Sequence, residues 1–365
     1  MRVAILGGGQ LAQMLAQAAA PLGIATRVLD PAADCCAGQV TEAVIGDYDD
    51  PAALAQLAAD CDVATYEFEN VPEQALQQLA DRGVPIYPSV VALRTGRDRL
   101  LEKRLLSEQL GVPTAPWRRV DSLADLRAAV AELGLPALLK TRTLGYDGKG
   151  QSLLQHDTDI ARAWQQLGGV PLILEGLVRF DREVSIIAAR GRDGAVVYYP
   201  LVENRHRDGI LRYSQALPND PLQAQAEQAM GRLLDALDYV GVAALELFDV
   251  AGTLLANEMA PRVHNSGHWS LEGALTSQFA NHLRAICGMP LGATKLLGCS
   301  AMINLIGTPP PAAALRGIDG VVLHDYGKDP RPGRKVAHIG VVAESAERLQ
   351  QRVAAVWQRL PETAP

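Results

Sequence analysis

"LELFDVAGTLLANEM", residues 245–259, is two short apolar runs separated by Ala251-Gly252-Thr253. A three-residue loop with glycine available for a positive φ predicts an antiparallel hairpin. Centring the turn on Gly252 sets Glu246 directly opposite Glu258 on one face. Like charges opposed across a sheet cost a few tenths to about 1 kcal/mol. A divalent cation between them reverses that sign, and carboxylates that hold Mg²⁺ together with substrate phosphates are common in phosphoryl transfer. A slipped register would leave both acids in solvent. The chain continues as "NEMAPRVHNSGHW", residues 257–269. It leaves the strand at Pro261 and carries Arg262, able to face phosphate or developing negative charge. His264 follows, able to orient or exchange a proton. His264 and His268 have the i,i+4 spacing of a metal pair, but Gly267 argues against a helix there, so His268 is expected to be structural.

Upstream, "KTRTLGYDGKGQ" (140–151) places Gly145, Gly148 and Gly150 after a strand expected to end at Lys140. Such a loop can aim backbone N–H groups at phosphate oxygens, with Lys140 as a cationic clamp. No G-K-S/T closes it, so it is not a Walker A loop, and an ordinary hairpin fits the same letters. Glu175 and Glu183 flank "GLVRFDR" (176–182). The apolar "LILEGL" (172–177) could cradle an adenine while Glu183 accepts ribose hydroxyls; two surface acids is the competing reading. "GRDRLLEKRLLSEQL" (96–110) reads as one charged amphipathic helix stopped by Gly111 and Pro113.

At the N-terminus, "RVAILGGGQLAQMLAQAAAPLGIATRVLD" (2–30) is a strand, a glycine turn, an alanine-rich helix and a second strand. This βαβ opening implies a parallel sheet, and "GVPIYPS" (83–89) reads as a further strand. Gly7, Gly9 and Ala12 match G-x-G-x-x-A, with Asp30 near the place of a ribose-binding acid. An NAD(P)-dependent oxidoreductase is therefore the rival of another class, although the fingerprint by itself says only that a helix N-terminus is open to an anion.

Composition narrows the field. The 365 residues are 48% hydrophobic and 21% charged, with a net charge of −7. Bulk attraction to nucleic acid or an anionic membrane is excluded as a driving force, while local basic pockets for small anions are not. The five cysteines form no CxxC pair, which reads as reduced thiols in a cytoplasmic protein. No apolar run reaches the roughly 18 residues of a membrane span.

Taken in order, these pieces resemble the ATP-grasp enzymes, and among them the N5-carboxyaminoimidazole ribonucleotide synthases of purine biosynthesis. The resemblance is carried by "GGGQL" (7–11), "YEFENVP" (66–72), "GYDGKGQ" (145–151), "HRDGILR" (206–212), "APRVHNSGHW" (260–269), "MINLIG" (302–307) and "RPGRKVAH" (331–338). It implies an α/β chain with an ATP-grasp fold. A Rossmann-like (preATP-grasp) domain would span 1–96, and the ATP-grasp domain 97–290 with a mobile lid at about 117–175. A small, mostly β C-terminal domain, 291–365, would complete the substrate site. It further implies ATP- and bicarbonate-dependent carboxylation of 5-aminoimidazole ribonucleotide by way of carboxyphosphate, with Mg²⁺, in a homodimer. Another purine-pathway ATP-grasp ligase or a formate-dependent formyltransferase would share much of this pattern.

By the same resemblance, ATP would meet Arg99, Lys140, the loop Gly145, Tyr146, Asp147, Gly148, Lys149, Gly150 and Gln151, the hinge Glu175, Gly176, Leu177 and Val178, and then Glu183, His206, Asn257 and Glu258. Glu246 and Glu258 would ligate Mg²⁺. Gln10, Tyr146, Lys149, Asn265, Arg331 and Arg334 would bind the nucleotide substrate. Asp147, Arg262, His264 and Lys335 would serve the reaction itself, Asp147 holding the amine and His264 accepting its proton. Two departures from the family pattern stand out: Ala12-Gln13 in place of Gly-Arg after Leu11, and Lys149 in place of the commoner Arg.

Overall fold

The computed structural model of the chain describes residues 1–145 and 149–360. Its first unit is a parallel sheet of β1 (Arg2–Leu6), β2 (Ala25–Asp30), β3 (Glu42–Ile45) and β4 (Val63–Tyr66), in the order β3-β2-β1-β4. α1 (Gln10–Ala19) links β1 to β2, α2 (Pro51–Ala58) links β3 to β4, and α3 (Glu73–Asp81) follows β4. The strands are short; β1, β2 and β4 are largely buried, as parallel strands sandwiched between helices must be, while the edge strand β3 buries only Val44. The expected strand at 83–89 is reduced to a single bridge between Ala64 and Ile86. α4 (Val90–Arg97) then leads to α5 (Arg99–Lys103). The single helix expected over 96–110 is thus interrupted at Asp98, which has extended backbone angles and whose carboxylate accepts the Leu100 N–H at 2.8 Å.

A second, four-stranded antiparallel sheet has the order β5-β8-β6-β7: β5 (Trp117–Val120), β6 (Ala137–Thr141), β7 (Gln151–Leu154) and β8 (Leu172–Gly176). With α6 (Leu123–Leu133) and α7 (Asp159–Leu167) it buries its own core around Val130, Leu139 and Leu174. The third sheet is the largest. β9 (Arg182–Arg190), β10 (Val196–Tyr198), β11 (Val202–Arg207), β12 (Ile210–Ala216), β13 (Gly241–Val250), β14 (Thr253–Ala260), β15 (Cys299–Ile306), β16 (Val321–Asp325) and β17 (Lys335–Ala343) form it. Its order is β14-β13-β9-β11-β12-β15-β17-β16, with β10 on β9, and every pairing is antiparallel. The C-terminal strands therefore extend the same sheet that carries Glu246 and Glu258. α8 (Gln223–Ala236), α9 (Ser270–Gly273), α10 (Gln278–Ile286) and α11 (Ala346–Trp357) pack on it.

One apolar core joins the first sheet to the third, because α1 residues Leu15 and Ala19 share a cluster with Phe279, Leu283 and Ile286 of α10. His282 of α10 pins the same junction. Its Nδ1 accepts the Val242 N–H at 3.1 Å, and its Nε2 lies 2.9 Å from the Thr65 hydroxyl on β4. The cleft described next lies among the three sheets.

Candidate active site

The hairpin of β13 and β14 corrects the expected turn while preserving its consequence. The loop has two residues, Ala251 and Gly252, with φ of 50° and 83°, and Thr253 already pairs with Val250. Two consecutive positive φ values are those of a type I′ turn, the tight hairpin turn that matches strand twist. In that register Leu247 faces Ala256, and a regular ladder would next set Glu246 against Asn257. Instead the register shifts there, Asn257 is the extra residue of a β-bulge, and Glu246 pairs with Glu258. Glu258 reaches the cleft face because of that inserted residue.

Burial first, and the opposed Glu258 second, push the Glu246 carboxyl up to about 7. The Arg99 guanidinium lies 3.6 Å from the other acid, Glu258. A cavity of about 530 Å³ opens over the pair, lined by Arg99, Lys140, Gly145, Lys149, Gln151, Glu183, His206, Asn257, Arg262, His264, Asn265 and Lys335 as well. Leu138, Leu211, Phe248 and Met259 supply its apolar wall, and Phe180 stacks on Phe248 with ring centroids 4.7 Å apart. Glu183 holds His206 through Nδ1 and, outweighing burial, raises that imidazole above its ordinary range.

Glu175, at the end of β8, lies behind this wall and is buried. Its Oε2 is 3.1 Å from Lys140 Nζ and 3.3 Å from Lys103 Nζ. Burial alone would raise this carboxyl, but the two ammonium groups overcome it and pull it down to about 2. Gly176 ends β8, and Leu177 and Val178 begin the link to β9; all three lie outside the lined cavity.

His264 has a different partner from the one expected. Burial, then the charge of Arg262, hold its imidazole well below the ordinary range, so the ring is neutral. Nδ1 accepts the Ser266 N–H at 3.3 Å and lies 2.9 Å from the Ser266 hydroxyl. That leaves Nε2 to carry the proton, 3.3 Å from Glu246 Oε1. In this tautomer the ring supports Glu246 and has no free lone pair to accept a proton from an amine. Arg262 is likewise engaged, 2.7 Å from Glu69, and Asn265 exchanges amide hydrogen bonds with Asn304. His268 is fully buried, packed against Phe279 and His338, in keeping with a structural residue.

Other expected residues lie elsewhere. Gln10 lines the cleft and accepts from Lys328. Arg331 and Arg334 sit on the connection from β16 to β17, outside the lined cavity, where Arg334 donates to the Asp329 carbonyl. Tyr146, Asp147 and Gly148 lie outside the described residues. The glycine turn after β1 is met by an anion of the chain itself: the Glu67 carboxylate accepts the N–H of Gly9 and that of Ala12, the latter at 2.9 Å. Asp30 is engaged too, accepting from Gly8 at 2.8 Å and from the Tyr48 hydroxyl at 3.0 Å. The anion that the oxidoreductase reading requires is supplied from within the chain. Glu67, Glu69, Glu102 and Lys103 are the residues the letters did not single out. For Glu102 and Lys103 a signal existed, since Leu106 follows them at the helical spacing of a buried face.

Among the described residues no cluster of three or more His, Cys, Asp or Glu side chains is arranged to hold a metal unaided. The Glu246–Glu258 pair nevertheless fits Mg²⁺. It offers hard oxygen donors whose mutual repulsion a cation relieves, and Mg²⁺ characteristically uses one or two carboxylates plus phosphates and water.

Against known proteins, residues 105–279 match the ATP-grasp domain family and residues 1–96 the ribonucleotide synthetase preATP-grasp domain. Residues 300–352 match the phosphoribosylaminoimidazole carboxylase C-terminal domain. The N5-carboxyaminoimidazole ribonucleotide synthase of Pseudomonas aeruginosa is 51% identical over 98% of each chain. The crystal structure of N5-carboxyaminoimidazole ribonucleotide synthetase from Thermus thermophilus, also 51% identical, superposes with a TM-score of 0.95 over 100% of both chains. The Aspergillus clavatus N5-carboxyaminoimidazole synthase, solved in complex with ADP and 5-aminoimidazole ribonucleotide, superposes with a TM-score of 0.89 at 32% identity, covering 98% of this chain and 99% of that one. The chain belongs to the N5-carboxyaminoimidazole ribonucleotide synthases, ATP-dependent carbon–nitrogen ligases built on the ATP-grasp fold.

Proposed function

We propose that the cleft joins bicarbonate to the exocyclic amine of 5-aminoimidazole ribonucleotide through carboxyphosphate, with Glu246 and Glu258 as the ligands of Mg²⁺. The overall reaction is the family's: ATP-dependent carboxylation that yields N5-carboxyaminoimidazole ribonucleotide in purine biosynthesis. Bicarbonate is a poor electrophile, and transfer of the γ-phosphoryl group of ATP converts it into an acid anhydride that the amine, or the amine acting on released CO₂, can trap. The observation that carries the assignment is the direct opposition of Glu246 and Glu258 beneath Arg99 and Lys140.

Each side chain then has a physical task. Phe248, Leu138 and Leu211 form an apolar wall suited to the base, and Glu183, fixed by His206, is placed to accept ribose hydroxyls. Lys140 and Arg99 meet phosphate oxygens as charge-assisted donors. Mg²⁺, when bound, neutralises phosphate charge. His264 orients Glu246 through Nε2–H, which replaces the proton-acceptor role expected from the letters. Asn265, Lys149 and Lys335 line the part of the cleft left for the second nucleotide and bicarbonate, and Gln10 borders it. The β5–β8 unit, joined to β9 by the 177–181 link, is suited to close over the cleft and exclude water from the labile anhydride.

A cytoplasmic homodimer with reduced thiols completes this reading. Five free cysteines are in keeping with the reduced thiols, and among the described residues no helix is long and apolar enough to cross a membrane; the homodimer is carried over from the family resemblance alone. The decisive assay follows labelled bicarbonate into product and asks whether ATP turnover needs bicarbonate and 5-aminoimidazole ribonucleotide together. Incorporation of labelled formate instead would favour the formyltransferase. Glu258→Gln should lower turnover by about two orders of magnitude; a loss smaller than threefold would remove Glu258 from the metal.

A further inference from the structure

The bulge that turns Glu258 into the cleft lies on an edge strand, where outward backbone groups have no neighbouring strand to pair with. Three of these groups are satisfied by other elements. The Ala256 N–H donates to the Pro113 carbonyl at 2.7 Å. The Asn257 carbonyl accepts from Lys103 Nζ at 2.8 Å, and the Met259 N–H donates to Glu102 Oε1. Glu102 and Lys103 are neighbours on α5 with exposures of 2% and 1%. Charged side chains are almost never buried so completely without a specific partner. Their partners bracket Glu258, one backbone group on either side.

We infer that Glu102 and Lys103 are positioning residues that hold the bulge, and with it the direction of Glu258. The alternative state is definite. If the two-residue turn propagated a regular ladder, Asn257 would face Glu246, and Glu258 would face Leu245 on the side of the sheet that packs the core. The clamp disfavours that slip, because it would pull the Asn257 carbonyl and the Met259 N–H off the buried side chains of Lys103 and Glu102. Lys103 does a second thing: its Nζ also lies 3.3 Å from Glu175 Oε2. One ammonium therefore ties the end of β8, where the link to β9 begins, to the strand that bears Glu258. Lys140 Nζ shares that same carboxylate oxygen, at 3.1 Å.

This inference rests on the reading of Glu258 as a metal ligand, and the test separates the two. The readout is the ratio of ATP affinities measured with saturating Mn²⁺ and with EDTA, by calorimetry on the full chain. The ratio isolates what the metal adds and cancels any direct loss of ATP contacts. Lys103→Met and Glu102→Leu should each lower it about tenfold, within the 10- to 100-fold range for residues that support ligands. Glu102→Gln, whose amide oxygen can still accept the Met259 N–H, should retain most of what Glu102→Leu loses. A merely structural role would lower the melting temperature and leave the ratio alone. If Glu258→Gln collapses the ratio while Lys103→Met and Glu102→Leu stay within twofold of the parent, the clamp is refuted. If Glu258→Gln leaves the ratio unchanged, the metal assignment fails first. Should Lys103→Met not fold, the two Glu102 variants decide on the same ratio.

Discussion

Replacing Gly9 by alanine tests whether the N-terminal glycine turn serves an internal carboxylate. Gly9 has φ of −75°, so alanine adds no backbone strain. Its Cβ would sit 2.6 Å from Glu67 Oε1 and 3.0 Å from Oε2, well inside ordinary contact. The carboxylate must move by most of an ångström, which breaks its bond to the Gly9 N–H and strains the one to Ala12. Hydrogen bonds to charged groups contribute about 1.5–3 kcal/mol each, and an anion at a helix N-terminus adds about 0.3–1 kcal/mol. Losing one bond and weakening the other should cost about 2–4 kcal/mol, read from denaturant unfolding followed on the first transition. A double-mutant cycle gives the physical cause. In a Glu67→Ala background, Gly9→Ala has no carboxylate to displace and should be close to neutral. Additive effects, or a cost for Gly9→Ala below about 0.5 kcal/mol, would refute the account. A dinucleotide site predicts the opposite pattern, with stability kept and nicotinamide binding lost.

Two further expectations concern the frame around the cleft. Ala251 holds φ of 50° in the type I′ turn, where a Cβ is disfavoured; Ala251→Asn or Ala251→Gly should raise stability by about 0.5–1 kcal/mol in denaturant titration, and a destabilisation would contradict the turn assignment. Burial pushes His282 down to about 4, below an unfolded value of about 6.5. The unfolded chain therefore binds the extra proton between these values, so the stabilising contribution is complete above pH 6.5 and lost as pH falls toward 4. It amounts to about 3 kcal/mol, and His282→Gln should flatten the acid side of the stability profile by that much. An unchanged acid slope in the variant would show that His282 is not a buried neutral ring.

The letters conveyed the fold more readily than the contacts that make the site. Hydrophobic periodicity and glycine turns are local, and they were enough for the βαβ opening, for β13 and β14, and for the strands expected to end at Lys140 and Glu175, which run one residue further, to Thr141 and Gly176. The pairing of Glu246 with Glu258 was reached from a loop one residue too long and a ladder with no bulge, two errors that cancel. A bulge has no signature in the pattern of one strand, because its cause lies in Glu102 and Lys103, more than 150 positions away. Glu67 escaped notice for the same reason. The fingerprint announces an anion site, but nothing within thirty residues says that the anion is the chain's own, 58 positions on. His264 lines the cleft, but its tautomer depends on Ser266 and its charge on burial, neither of which spacing encodes.

The opposed acids also imply a trade between stability and function. Without a cation, burial and Glu258 disfavour the charged form of Glu246, which titrates near 7. Below that pH Glu246 is protonated and the repulsion is relieved; above it the pair carries two charges. Glu246→Gln keeps the acceptor for His264 Nε2–H and removes the charge. An unfolded glutamate titrates at about 4.3, so the parent loses stability from there up to about 7. In EDTA the variant should therefore match the parent near pH 4 and be the more stable protein at pH 8.5, by on the order of 3 kcal/mol. Mg²⁺ with ATP should reverse the order at pH 8.5, because a ligand stabilises only the state that binds it. Equal stability differences at both pH values in EDTA would mean that the raised carboxyl is not Glu246. A variant that still gained as much from Mg²⁺ and ATP as the parent would mean that the repulsion does not serve metal binding. On the proposed metal assignment, the cost is tolerated in the free enzyme because removing it would also remove the reason for a cation to bind there.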